Sequence, residues 1–180
     1  MHSTLRVIQA LLLSLMVAML SGCAGYHAGP SKPAYMSDVK TIAIPSFKNQ
    51  TLEPRMEVLF ASTLAKQIQQ DGTYKITREE EADAVLQGTV VRIERTPARG
   101  LRSNFFQTSE FTLTLTLEIK LTDRRDGRIL TKRNITGNTT FFVSSSNPRT
   151  GDVNKDERQA IPLAAEDASV KTVDFLANGW

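Results

Sequence analysis

Apolar and polar residues alternate without a break from 111 to 122. Phe111, Leu113, Leu115, Leu117, Ile119 and Leu121 fall on one side, and Thr112, Thr114, Thr116, Glu118, Lys120 and Thr122 on the other. A period of two over that length predicts an antiparallel strand with one buried face. Each such side chain contributes about 1.5–3 kcal/mol when buried, before the entropy of ordering it. The Asp126-Gly127 turn opens a further strand over 128–142. Upstream, the β-branched run 39–44 is stopped by Pro45 and predicts a short first strand. Leu52, Met56, Leu59, Phe60, Thr63, Leu64 and Ile68 then recur at three and four residues. With Pro54 suited to a first turn and Asp71-Gly72 to an end, they predict an amphipathic helix.

Residues 74–76 read as a brief strand, and Glu79-Glu80-Glu81 as a solvated turn. Residues 84–95 read as a longer strand in which Gly88 marks either a bulge or a close contact. Residues 96–110 read as a loop, as does the Ser-, Asn-, Pro- and Gly-rich stretch 144–155. A last helix over 161–177 gathers Ile161, Ala164, Ala165, Ala168, Thr172, Phe175 and Leu176 on one face, with Pro162 confined to its first turn. The order β-α-β-β-β-α predicts an α+β two-layer sandwich, with two helices packed on one face of a small, about four-stranded, mixed sheet. Strand alternation places both loops at one end, here called upper, and the 126–127 turn at the lower end with the entering chain.

The N-terminal run 7–20 is mostly apolar but shorter than the roughly 20 residues a spanning helix needs. Arg6 precedes it, and the small Ser21 and Gly22 follow, as in a secretory signal. Leu20-Ser21-Gly22-Cys23 resembles the bacterial lipobox and contains the chain's one cysteine. On that resemblance, residues 1–22 are a cleaved lipoprotein signal peptide. Cys23 then carries an S-diacylglycerol group and an N-acyl chain such as palmitate. Residues 23–38 form a flexible tether and 39–180 a single folded domain. Ala24 rather than Asp after the lipid site implies, by resemblance to enterobacterial sorting, the outer membrane, held by its inner leaflet on the periplasmic side. Such a tether averages about 20 Å end to end, taking 5–6 Å × √n, and favours a partner in the same membrane.

Composition narrows the chemistry. Lys+Arg number 22 against 19 Asp+Glu, a net charge of +3 that does not mark nucleic-acid binding. One cysteine excludes an intramolecular disulfide and a cysteine-built zinc site. His2 and His27 are the two histidines, and His2 falls within the cleaved signal. There is no nucleophile–base pair, metal cluster or phosphate-cradling glycine loop, so neither an enzyme, a metal nor a cofactor beyond the covalent lipid is expected.

Several segments in this order resemble the lipopolysaccharide-assembly lipoproteins of the LptE family. They are Cys23-Ala24-Gly25-Tyr26-His27, Ile42-Ala43-Ile44-Pro45-Ser46-Phe47-Lys48-Asn49-Gln50-Thr51, Glu57, and Glu81-Ala82-Asp83-Ala84-Val85-Leu86-Gln87-Gly88-Thr89-Val90. The alternating strand before Asp123, the Gly127 turn and the alanine-rich last helix complete the series. The resemblance implies two helices on a four-stranded sheet. It implies a protein that plugs the outer-membrane barrel LptD, helps it assemble and binds lipopolysaccharide on its way to the outer leaflet. Pro162 departs from a region that the family keeps helical.

The upper loop carries the candidate ligand residues Arg92, Arg95, Arg99, Arg102, Phe105 and Phe106. Guanidinium groups pair bidentately with phosphate, and phenylalanines suit acyl chains, which together match lipid A. The plainer reading is a solvated loop with its aromatic rings tucked inward. Arg124, Arg125, Arg128, Lys132 and Arg133 form a second basic group near the lower turn. It reads either as turn solvation or as a face toward anionic headgroups. Glu57 and Asp83 read as a helix-face and a turn position, not an acid–base pair. The competing function is a periplasm-facing lipoprotein that regulates a cell-wall synthase or forms part of a secretion pore.

Overall fold

The computed structural model describes residues 6, 32–101, 104–142 and 150–179, with side chains described outside 99–109 and 150–155. The expected signal segment and Cys23 lie outside the described residues. The folded unit runs from Ser31 to Trp180. Its strands are β1 (Thr41–Ala43), β2 (Lys48–Asn49), β3 (Lys75–Ile76), β4 (Ala84–Leu101), β5 (Asn104–Asp123) and β6 (Ile129–Phe142). Its helices are α1 (Met56–Asp71) and α2 (Thr150–Asn178).

The sheet order is β3-β1-β4-β5-β6, with β2 also paired to β4. β1 pairs parallel with Ala84 and Val85, and β2 parallel with Thr89 and Val90, so both lie along one edge of β4. They form one line interrupted at Pro45, which has no N–H for a ladder. β3 pairs parallel with β1, while β4, β5 and β6 are antiparallel. The mixed sheet and α+β class are as expected. The six strands exceed the expected four because one line is broken and the brief strand read at 74–76 joins the sheet as β3.

Leu113, Leu115, Leu117, Ile119 and Leu121 are all fully buried beneath the helices, and Phe111 partly so. α1 buries Met56, Phe60, Leu64 and Ile68, each one turn from the next. Leu52, expected on that face, is instead wholly exposed. Asn49 is the reason: its Oδ1 accepts from the Thr51 N–H and hydroxyl, and its Nδ2 donates to the Glu53 carbonyl. This turn, with Arg55 in the left-handed region (φ 66°), delays the helix to Met56 and leaves Pro54 outside it.

The last helix begins at Thr150, inside the expected loop, and passes through Pro162. Proline deletes one helical bond, to the carbonyl of residue 158. Both Arg158 and Pro162 are exposed, so water can satisfy the freed carbonyl. The expected inward set Ile161, Ala164, Ala165, Ala168, Thr172, Phe175 and Leu176 is buried throughout. Ser169 and Thr172, buried with them, donate to the carbonyls of Ala165 and Ala168 one turn back. At Gly137 the helix rests on bare backbone, and a Cβ there would lie 2.8 Å from Ala168 Cβ. Gly88 is a close contact rather than a bulge: its own Cβ would lie 2.6 Å from Phe47 Cδ2.

Part of the expected tether is packed. Met36 is fully buried, Lys32 Nζ donates to the Val39 carbonyl at 2.9 Å, and the same ammonium stands 4.7 Å over the Tyr74 ring. The Tyr74 hydroxyl in turn donates to the Leu176 carbonyl.

At the lower end, one oxygen of Asp83 accepts from the N–H groups of Lys40 and Thr41 and from the Thr41 hydroxyl, each at 2.9 Å. Arg124 closes the clasp by donating its N–H to the Asp83 carbonyl and Nε to the Ala82 carbonyl. The Lys40 N–H holds the Asp83 carboxyl below its ordinary value of 3.8, and the Arg125 side chain does the same for Asp123. A carboxyl whose folded pKa is depressed stabilises the fold above its unfolded value and loses that contribution as pH falls through the folded one. The thermal midpoint should therefore stay level from about pH 7 to 5 and drop below about pH 4. Asp83→Asn should flatten that acid limb; an unchanged limb would remove Asp83 from the clasp.

Candidate functional site

Residues expected to form the upper loop instead extend the sheet. β4 and β5 continue to Leu101 and Asn104 as a long hairpin, with Pro97 opposite Phe111. Proline is accommodated because β2 ends at Asn49, opposite Val90, and beyond that point β4 has no second neighbour among the described residues.

A register shift between Val90 and Arg92 decides where the arginines go. Ala84, Leu86, Gly88 and Val90 face the helices, and uninterrupted alternation would send Arg92 and Glu94 into the core. The extra residue, Val91, reverses the parity. Ile93 and Arg95 then face inward, opposite Leu115 and Leu113, while Arg92 and Glu94 stand opposite Thr116 and Thr114 on the helix-free face. Arg92 Nε lies 3.0 Å from Glu94 Oε2. Arg95 reaches Glu157 of α2 at 2.7 Å and lies 5.8 Å over the Phe111 ring. Phe111 stacks on Phe141 with centroids 5.5 Å apart.

The six candidates thus do not form one cluster. Arg92 and Arg95 are on opposite faces and each has a carboxylate partner. Arg99, Phe105 and Phe106 are described by backbone alone, Arg99 being the register partner of Glu110. Arg102 lies outside the described residues. Glu157 escaped sequence reasoning because it follows a stretch read as a loop and meets Arg95 across 62 residues.

Beside the base of the hairpin, a cleft of about 350 Å³ opens between residues 50–53, β4 and α2. Leu52, Val91, Ile93 and Ile161 line it together with Arg92 and Glu157. The volume lies within the usual range for small-ligand sites. The walls combine hydrocarbon with two residues of opposite charge, Arg92 and Glu157. On the open face a second hollow of about 300 Å³ lies against Lys48, Gln87, Glu118 and Lys120. That face carries Thr96, Thr112, Thr114, Thr140 and Thr136 across three strands in register.

The lower basic group is dispersed. Arg124 is bound to the Ala82 carbonyl, Arg125 to Asp123, Arg128 to Asp126 and Lys132 to Glu118, and Arg133 covers the Phe175 ring at 4.6 Å. Glu57 lies in the first turn of α1, remote from the Asp83 clasp. Among the described residues, no three His, Cys, Asp or Glu side chains are placed to hold a metal ion, and no helix is long and apolar enough to cross a membrane.

The family model described as LptE, lipopolysaccharide-assembly, matches residues 39–174. No curated protein matches the chain. Among solved structures, a minor lipoprotein from Acinetobacter baumannii is 17% identical with a TM-score of 0.54, covering 77% of this chain and 91% of that one. A Xanthomonas campestris protein is 18% identical with a TM-score of 0.53, covering 84% and 88%. A PelC dodecamer from Paraburkholderia phytofirmans is 18% identical with a TM-score of 0.50, covering 84% and 96%. At these identities the three likenesses concern the fold.

Proposed function

Because the chain belongs to the LptE lipopolysaccharide-assembly family, we propose that it is an outer-membrane lipoprotein anchored through Cys23, which plugs the LptD barrel, assists its assembly and handles lipopolysaccharide in transit. The observation that carries this reading is the extent of the match, 39–174, which takes in every strand and nearly all of α2. The fold suits a plug in that both helices cover one side, leaving a polar, threonine-rich sheet face uncovered by any helix among the described residues. Purification of the full chain in mild detergent should bring down a large β-barrel, LptD. Recovery of the protein without a barrel would remove the plug role.

For the ligand, the upper hairpin and its cleft supply cations beside apolar wall. Arg95 is held by Glu157 at 2.7 Å, so a lipid phosphate must displace that carboxylate. Replacing Arg95, Arg99 and Arg102 by Ala should weaken lipopolysaccharide binding about tenfold or more, and added salt should weaken it further. Glu157→Gln releases Arg95 and should tighten binding by about two- to fivefold, since the competing charge is gone. Equal affinity in the triple variant and the parent would place the ligand site away from this hairpin.

A further inference from the structure

β6 is the last strand of the sheet, and its outer edge meets no other strand among the described residues. Such an edge offers unpaired N–H and C=O groups to any extended chain that approaches. The local sequence sharpens the hazard. From Asn134 to Phe142 (NITGNTTFF) there are nine residues with no charge and no proline, three of them threonine, two phenylalanine and one isoleucine. That is the composition of a segment prone to strand stacking. Lys132 and Arg133 flank only its start.

Two side chains of α2 reach over the middle of this run. Asp167 Oδ2 accepts from the Asn138 N–H at 2.8 Å, and Lys171 Nζ donates to the Thr136 carbonyl at 3.1 Å. The two side chains are joined to each other at 2.7 Å. Along an antiparallel strand, backbone groups turn outward at every second residue. Thr136 and Asn138 are thus successive outward positions, and both are occupied. Gly137 between them brings α2 close enough for two surface side chains to make this reach.

We propose that the outer edge of β6 is a strand-pairing surface for a second copy of this chain, held shut by the Asp167–Lys171 clip. Antiparallel pairing of two copies about Gly137 would set Lys132 of one against Phe142 of the other, so like charges do not oppose it. The inference is independent of the functional reading above, since it rests on the contacts between α2 and the outer edge of β6 and on none of the arginines.

Sedimentation of the full-length chain in mild detergent, combined with amide exchange over 134–142, tests it. Asp167→Ala with Lys171→Ala should tighten self-association by about tenfold or more, with the amides of Asn134, Thr136 and Thr140 slowing as concentration rises. Asp167→Asn with Lys171→Arg keeps an acceptor and a donor in place and should behave as the parent. Unchanged sedimentation and exchange in the double-alanine variant would overturn the proposal, as would an Asn/Arg variant that associates as tightly as the double-alanine one. Should the double-alanine variant lose its cooperative melt, Lys171→Ala alone, which frees the Thr136 carbonyl, is read against the same two outcomes.

Discussion

Replacing Gly137 by valine is expected to cost about 3 kcal/mol or more, because overpacking against a rigid element leaves little room to relax. The new Cβ would fall on the Ala164 carbonyl and lie 2.8 Å from Ala168 Cβ. Neither can move without lifting α2 from β6, since Ala164 and Ala168 are fully buried in the alanine face that makes the close approach possible. For a chain of this size the cost corresponds to a fall in thermal midpoint of roughly 6–12 °C, readable by circular dichroism. Thr136→Val, one residue away and exposed, should leave the melt within about 0.5 kcal/mol of the parent. A Gly137→Val protein melting with the parent would mean that the helix does not sit on this strand.

Phe60→Ala should be equally damaging, at about 3–5 kcal/mol, the usual cost of emptying a fully buried aromatic site. Phe60 has no exposed surface and lies in the cluster that joins α1 to the sheet. The informative companion is Leu52→Ala. By spacing alone, Leu52 and Phe60 belong to the same helical stripe and should cost comparable amounts. In the folded chain Leu52 is fully exposed on the Asn49-braced turn, so its loss should fall within about 0.5 kcal/mol of zero. Chemical denaturation of the two variants separates these readings. A destabilisation by Leu52→Ala matching that of Phe60→Ala would restore the longer helix.

Leu52 also shows what periodicity could and could not carry. The stripe Met56, Phe60, Leu64 and Ile68 was legible because each side chain answers to the same packing surface at every turn. Leu52 keeps that spacing by coincidence, and the deciding fact is a side-chain-to-backbone turn at Asn49, which competes with helix in a way no apolar count registers. Proline and glycine misled in the opposite sense. Pro97 and Gly100 signal a loop, yet they lie where β4 pairs with β5 and, among the described residues, has no second neighbour, so the donor that Pro97 lacks does little harm. Pro162 signals a helix start, yet the carbonyl it strands is on an exposed face.

The candidate site was legible as chemistry and not as geometry. Arg92, Arg95, Arg99 and Arg102 are near neighbours in the chain, which suggested one basic surface. A single inserted residue at Val91 puts Arg92 and Arg95 on opposite sides of the sheet, because a strand's two faces exchange with every shift of one. The partner of each arginine then follows from what that face meets: Glu94 beside it on the open side, Glu157 on the helix packed across the other.

From the residues alone came the α+β class, the order of its elements, the inward face of β5 and of both helices, and the family. All of these rest on local periodicity or on contiguous motifs, and each residue's contribution is repeated many times over. The fold itself decided the parity of β4 beyond its bulge, the separation of Arg92 from Arg95, the dispersal of the lower basic group into separate contacts, the packing of Met36 beneath what reads as tether, and the closing of the β6 edge from α2. Those depend on single contacts between segments far apart in the chain, where one hydrogen bond or one extra residue settles the outcome and no repetition announces it.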